Sequence, residues 1–313
     1  MLMKRCIEVA MRSLINALTK NGCIHENSDA EKLLFMGIPI IYSNVCRSYM
    51  IPLSDDLTET QSIVKSIGLD FKIKYLEKCD VSSQDIAKKE ADEGAPEGTV
   101  IVCGSMKVGR GRFGRKWYAP PGGLWFTTII RPWRVEKPSL ISLMSGVAVA
   151  EVLKLLLGIE AGLKWPNDVV VAGRKVAGIL AEGVAEGGAL KYILLGIGVN
   201  VNNKLPEELS EIATTLKSVV GRDVPRATLL AAMLGRLWRL YRMLEEGNYA
   251  DILRRWKDLS VVLGKYIEVK LVGEEIVKGV AIDIDSVGRL IVATPHRLVA
   301  VDAGEVTSLR LSS

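Results

Sequence analysis

Four residues, Pro120, Pro121, Gly122 and Gly123, restrict this chain more than any other feature. They follow closely on the stretch VGRGRFGRKW, residues 108–117, whose glycines at 109, 111 and 114 spell G-x-G-x-x-G. That spacing marks a dinucleotide site only where a helix opens on the last glycine, so that a pyrophosphate meets the helix N-terminus. Two prolines and two glycines forbid a continuous helix there. A P-loop fails too, because Arg115 and Lys116 follow Gly114 where Gly-Lys-Ser/Thr is required. What remains is a glycine-rich loop carrying Arg110, Arg112, Arg115 and Lys116. Guanidinium groups offer planar forks to phosphate oxygens. The glycines let the backbone fold around a ligand, which a merely solvated basic loop does not require.

The chain has 313 residues, enough for more than one domain. Its net charge of +5 is too small to demand nucleic acid, and the cluster at 107–116 supplies much of it. The five cysteines, at 6, 23, 46, 79 and 103, lack paired spacing. They read as reduced thiols of a cytoplasmic protein, not as a disulfide framework or a zinc site. Cys23 and His25 form one close Cys/His pair and His296 is distant, so no residue is assigned to a metal. The apolar window 140–159 contains Glu151 and Lys154 and reads as a buried helix; neither a membrane span nor a secretory segment is expected. Gln61 and Gln84 are the only glutamines, which fits a heat-loving source.

Patterning divides the chain at about residues 68 and 262. Residues 1–68 read as helix, helix, hairpin, helix: apolar spacing from Ile7 to Leu18 with a stop at Asn21-Gly22, a capping box at 28–31, two strands about Ser43-Asn44, and a helix capped by the TETQ stretch at 58–61 and stopped by Gly68. A hairpin after helices suggests a truncated winged-helix-like appendage. Its basic and acidic residues nearly balance, so packing or dimerisation is favoured over DNA reading. Residues 69–262 mix strands and helices, with one helix capped near Ser82 or Ser83 and a long one through RATLLAAMLGRLWRLYRML. Residues 263–313 carry short alternating strands broken by Gly and Asp, the pattern of a small β-barrel.

Two further stretches are furnished for chemistry. KWPNDVVVAGRKVAGILAE, 164–182, reads as a hairpin. If its turn is Ala172-Gly173, Val170 faces Lys175, and Asp168 lies diagonal to Lys175 within side-chain reach. A three-residue turn shifts that register, and an ordinary surface ion pair remains the plainer reading. KYILLGIGVNVNN, 191–203, reads as a long strand with Ile193, Leu195, Ile197, Val199 and Val201 on one face. Gly196, Gly198, Asn200 and Asn202 occupy the other face. Glycine inside a strand marks close approach of a ligand or another backbone, or a bend.

Taken jointly, GRGRFGRKW, GGLW, KWPNDVVVAGRKVAGIL and GIGVNVNN resemble, in order and spacing, the biotin protein ligases. The likeness runs from about residue 70 to 312. It implies an α+β fold: a mixed-sheet catalytic domain of the class II aminoacyl-tRNA synthetase and biotin ligase type, then an SH3-like barrel. It implies ATP and Mg²⁺, formation of biotinyl-5'-AMP, and transfer of biotin to a lysine of a biotin carboxyl carrier protein domain, with a homodimer expected. Catalytic roles fall to Lys175, Asp168, Arg112 and Lys164. The biotin side takes Ser82, Ser83, Gln84, Met106, Gly109, Arg110, Gly111, Arg112, Trp125, Lys175 and Gly178. The ATP side takes Arg112, Arg115, Trp117, Asn200, Asn202 and Arg310.

Two departures accompany the likeness. Met106 stands where many members have a glutamine that bonds the ureido ring, and thioether sulfur is a weak acceptor. Lys107 or Gln84 is then a candidate to compensate. The first segment lacks a complete winged helix, so DNA binding is not expected. The rival readings are a lipoate–protein ligase relative and a biotin-sensing repressor.

Overall fold

A computed structural model describes residues 33–34, 37–43, 48–272 and 275–310. The expectations for Ile7–Leu18, Asn21-Gly22, the capping box at 28–31, Asn44, Cys6, Cys23, His25 and Cys46 lie outside the described residues. The hairpin strands themselves are present. β1 (Ile41–Ser43) and β2 (Ser48–Met50) pair antiparallel, with Tyr42 opposite Tyr49. The next helix, α1 (Thr60–Ser66), is preceded by a 3₁₀ turn over Leu57–Glu59. The side-chain cap belongs to the 3₁₀ turn: Asp56 Oδ1 accepts from the Thr58 backbone N–H at 2.9 Å, whereas Glu59 precedes α1 without a side-chain cap bond. A carboxylate ahead of TETQ thus satisfies the donor at Thr58, and the 3₁₀ turn runs into α1 at Thr60.

The centre of the molecule is a seven-stranded mixed sheet. Its strands are β3 (Lys72–Leu76), β4 (Thr99–Cys103), β7 (Leu124–Ile130), β8 (Gly162–Lys164), β9 (Asp168–Val171), β10 (Arg174–Glu186) and β11 (Ala189–Val199). They lie in the order β3-β4-β7-β11-β10-β9-β8. β3 and β4 are parallel, joined through helix α2 (Ser83–Asp92); every other pairing in this sheet is antiparallel. The glycine-rich stretch becomes a separate ribbon, β5 (Met106–Arg110) with β6 (Lys116–Ala119), standing off the main sheet.

One face of the sheet is covered by helices. α3 (Leu140–Leu157) is apolar nearly all round, as a helix at the middle of a core must be. By length and composition it could cross a membrane, yet 72% of that window is buried inside the protein, against the sheet, α5 (Arg226–Glu245) and α6 (Tyr249–Leu259). Its acid, Glu151, accepts from Arg236 Nε at 2.6 Å and from Arg255 Nη1 at 2.8 Å. A charge in that position persists because two guanidinium groups meet it. Between the sheet and α5 a short α4 (Leu216–Val220) closes a loop that returns to the sheet end.

Cys79 and Cys103 form a disulfide, contrary to the expectation of reduced thiols. Their spacing of 24 residues carries no signal in the sequence, but the parallel pairing of β3 with β4 places the loop after β3 beside the end of β4, with 6.1 Å between the Cα atoms. The C-terminal segment is an antiparallel five-stranded sheet in the order β15-β14-β13-β12-β16. Its members are β12 (Tyr266–Leu271), β13 (Ile276–Ile284), β14 (Leu290–Ala293), β15 (Leu298–Val301) and β16 (Gly304–Arg310).

Candidate active site

On the second face helix α2 packs against β4, β7 and β11, and beside it the glycine-rich ribbon arches over the sheet. Between them lies a cavity of about 620 Å³, a size suited to a small-molecule ligand. Its floor comes from β10 and β11. Register pairs Gly178 with Gly198 and Leu180 with Gly196, so the two strands turn bare backbone to the cavity. The glycines are needed there. A Cβ at Gly198 would stand 2.8 Å from the Trp117 ring, and one at Gly196 would stand 2.8 Å from Gln84 Oε1. Trp117 therefore lies flat against the floor, edge-to-face with Trp125 at 6.1 Å between ring centroids. Its indole N–H has no hydrogen-bond partner among the described residues, whereas Trp125 Nε1 donates to Pro120 O at 3.0 Å.

The hairpin turn is Ala172-Gly173, both at positive φ, and Val170 faces Lys175 as the two-residue turn requires. A bulge then falls between Lys175 and Ala177, so Asp168 pairs with Gly178. Lys175 Nζ lies 2.5 Å from Asp168 Oδ1, an ion pair by distance but without the directional geometry of a hydrogen bond. The same ammonium sits over the Trp117 ring, 5.0 Å from its centroid. Lys175 is pinned from outside the hairpin as well: its backbone N–H donates to Ile212 O at 2.8 Å, and its carbonyl accepts from the Thr214 N–H at 2.9 Å.

Cations crowd the cavity from both the ribbon and the hairpin. Arg110, Arg112, Arg115, Lys116 and Lys164 all line the cavity with Lys175, against the carboxylates of Asp168 and Glu305. The C-terminal sheet reaches in through the start of β16. Arg112 Nη1 donates to Gly304 O at 3.0 Å, and Arg115 grips both oxygens of Glu305. Burial lowers the Arg112 guanidinium below the ordinary arginine value, with Asp168 and Glu305 opposing that shift. The hydrogen bond to Glu305 raises Arg115, and the same bond holds the Glu305 carboxyl below the ordinary glutamate value. The loop between β5 and β6 is tight: Phe113 sits at φ 56°, a left-handed conformation costing about 1 kcal/mol for a residue with a Cβ.

At the far end stand Ser82, Ser83 and Gln84. Ser82 caps α2, accepting from the Gln84 backbone N–H at 3.3 Å. Ser83 Oγ shares a hydrogen bond of 2.8 Å with Thr127 Oγ1. Met106 lines this end too, its sulfur accepting from the Ser83 N–H at 3.2 Å. Of the two candidates to compensate for Met106, Lys107 is exposed and paired with Asp80 at 2.6 Å, away from the cavity; Gln84 lines it.

The cavity thus collects Lys175, Asp168, Lys164, Arg110, Gly111, Arg112, Arg115, Trp117, Trp125, Gly178, Asn200, Met106 and the Ser82–Gln84 turn. Gly109 lies just behind, where a Cβ would strike the Trp117 carbonyl at 2.5 Å. Asn202 is taken elsewhere. Its amide donates to Val224 O and accepts from Val224 N, each at 2.9 Å, so it braces a loop below the floor. Arg310 closes β16 opposite Tyr266, and its side chain lies outside the described residues. Sequence reading missed Thr127, Ile212, Glu305 and Glu182. Glu182 alone left a usable signal, since it follows Gly178 and Leu180 at the strand period of two.

Residues 77–200 match the model of the Biotin/lipoate A/B protein ligase family, and residues 262–307 match the Biotin protein ligase C terminal domain. The chain is 32% identical over 235 residues to the biotin–[acetyl-CoA-carboxylase] ligase of Mycobacterium tuberculosis, covering 73% of this chain and 86% of that protein. It is 31% identical over 230 residues to the bifunctional ligase/repressor BirA of Bacillus subtilis, covering 72% and 70%. Among solved structures, the Aquifex aeolicus biotin protein ligase in complex with biotin and ATP superposes with a TM-score of 0.68 at 30% identity, covering 77% of this chain and 99% of that one.

Proposed function

The chain belongs to the biotin protein ligase family, and from that premise we propose that its cavity makes biotinyl-5'-AMP from biotin and ATP and then passes biotin to a lysine of a carboxylase's carrier domain. The observation that carries this reading is one cavity walled by cations from two separate segments, the β5–β6 ribbon and the β9–β10 hairpin, above a floor stripped to glycine.

In the first step a biotin carboxylate oxygen attacks the α-phosphorus of ATP and pyrophosphate leaves. Both reactants are anions, and their repulsion at close range in a partly dry site amounts to several kcal/mol. Lys175 holds the carboxylate, while Arg112 and Arg115 take the phosphates, so positive charge stands where negative charge builds up. Arg115 must then exchange Glu305 for phosphate oxygens. Lys164 adds charge on the hairpin side, and Asn200 with Trp117 receives the adenine. The Ser82–Gln84 turn, next to Met106, suits a neutral polar ring at the opposite end.

No group of three or more His, Cys, Asp or Glu side chains that could hold a metal occurs among the described residues. Mg²⁺ fits this chain as an ion carried on the triphosphate with its own waters.

In the second step the carrier lysine nitrogen attacks the acyl carbon, AMP leaves, and the amine must shed a proton. A free lysine has a pKa near ~10.4. Asp168 is placed to accept or orient that proton, since it lies beside Lys175, at the place assigned to the acyl-adenylate.

We read the chain as an appendage (1–68), a catalytic domain (69–262) and an SH3-like barrel (263–313). The family matches at 77–200 and 262–307 support the last two. A homodimer without DNA binding completes the proposal, and the charge balance of the first segment supports the second point. The testing experiment is pyrophosphate release with biotin or lipoate as the acid: release with biotin alone is expected, and release with lipoate alone overturns the assignment.

A further inference from the structure

Gln84 is a buried side chain whose amide direction its neighbours determine. Its nitrogen Nε2 faces three acceptors: Glu182 Oε2 at 2.9 Å, Leu180 O at 3.3 Å and Leu194 O at 3.4 Å. Reversing the amide would set oxygen against all three. The NH₂ therefore points outward and the carbonyl oxygen inward. That oxygen, Oε1, is buried, has no hydrogen-bond partner among the described residues, and lies over Gly196 on the cavity floor. Leaving an acceptor buried and unmet costs stability unless a ligand donor completes it.

Glu182 does not line the cavity; it stands behind Gln84. We propose that Glu182 is a positioning residue for biotin recognition: it holds the Gln84 amide so that Oε1 stands as a fixed acceptor for a ureido N–H. The inference rests on the biotin reading given above and deepens it. Met106 makes the role necessary in this chain, because its sulfur already takes the Ser83 N–H and gives the ring no strong acceptor. Arg110 keeps Glu182 in place, donating from Nη2 to Glu182 Oε2 at 2.8 Å. Arg110 also lies 3.2 Å from Asp85, so losing Glu182 leaves the ribbon a second anchor.

The test uses the full chain, with biotin binding measured by titration calorimetry and steady-state pyrophosphate release measured alongside. Glu182→Ala is expected to weaken biotin binding and raise its KM about tenfold, the loss of one charge-assisted hydrogen bond, with the KM for ATP and kcat within about twofold of wild type. Glu182→Gln, which still offers an acceptor, recovers most of the affinity. Gln84→Ala causes a loss of similar size, and the double variant is no worse than Gln84→Ala alone, because the two residues act as one unit. Unchanged biotin affinity in Glu182→Ala, or effects that multiply in the double variant, overturns the proposal while leaving the ligase reading intact. A wild-type chain that binds no biotin overturns both.

Discussion

At the scale of single residues, chemistry concentrates on the ion pair of Lys175 with Asp168 beside the Trp117 ring. The Ala172-Gly173 turn at positive φ sets Lys175 opposite Val170, and the bulge after Lys175 then brings Gly178 opposite Asp168 on the same face. The two residues should nevertheless fail differently. Asp168→Ala leaves a cationic Lys175 to hold the biotin carboxylate, so single-turnover pyrophosphate release stays within a few-fold of wild type. Transfer from preformed biotinyl-5'-AMP to a carrier domain falls about 10²-fold or more, the usual loss when a proton acceptor is removed. Quenched-flow measurement of the two half-reactions separates them, and unimpaired transfer would remove Asp168 from the second step.

The elements explain what the sequence made legible. The β10–β11 floor was readable because strand periodicity placed Gly196 and Gly198 on one face, and both prove to be sites of close approach, to Gln84 and Trp117. The ribbon was readable through its glycines and prolines. What stayed hidden needs the three-dimensional order of strands. Cys79 meets Cys103 only because β3 and β4 are parallel neighbours, and Asn202 leaves the ligand face because the strand ends at Val199 and the next loop turns toward Val224. The disulfide has a measurable consequence. It joins the loop before Ser82 to the strand end before Met106, and closing a loop of this length stabilises a fold by about 3 kcal/mol. Cys79→Ala with Cys103→Ala should lower the urea-derived unfolding free energy by about that amount. Reductant should lower wild type similarly and the double variant not at all.

Across the whole molecule the C-terminal sheet is part of the site. Gly304 and Glu305 hold Arg112 and Arg115, two of the cations assigned to phosphate. The clamp depends on pH in a direction fixed by Glu305, whose folded carboxyl is held below the ordinary glutamate value by Arg115. Its stabilisation is complete above the unfolded glutamate pKa of about 4.3 and is lost as pH falls through the lower folded value. Hydrogen exchange in the Arg112–Lys116 loop should therefore accelerate on acidification into that range, relative to the sheet core. Glu305→Gln should flatten the dependence. Exchange that ignores both pH and substitution contradicts the clamp. Among its described residues the first segment makes no comparable link to the cavity; Leu33, Ile38, Ile51, Leu57 and Val64 are instead buried in the main core.

Cations of two segments holding two anionic reactants together should be visible most directly in the overall reaction. The full chain is incubated with biotin, ATP, Mg²⁺ and a biotin carrier domain, and the carrier is weighed by mass spectrometry. Wild type should add one biotinyl group to a single lysine. Lys175→Ala should slow that addition by about 10²–10³-fold, the usual loss for one preorganised electrostatic contact, and should also slow biotin-dependent pyrophosphate release. A wild-type carrier of unchanged mass, or a Lys175→Ala chain that biotinylates at the wild-type rate, contradicts the account.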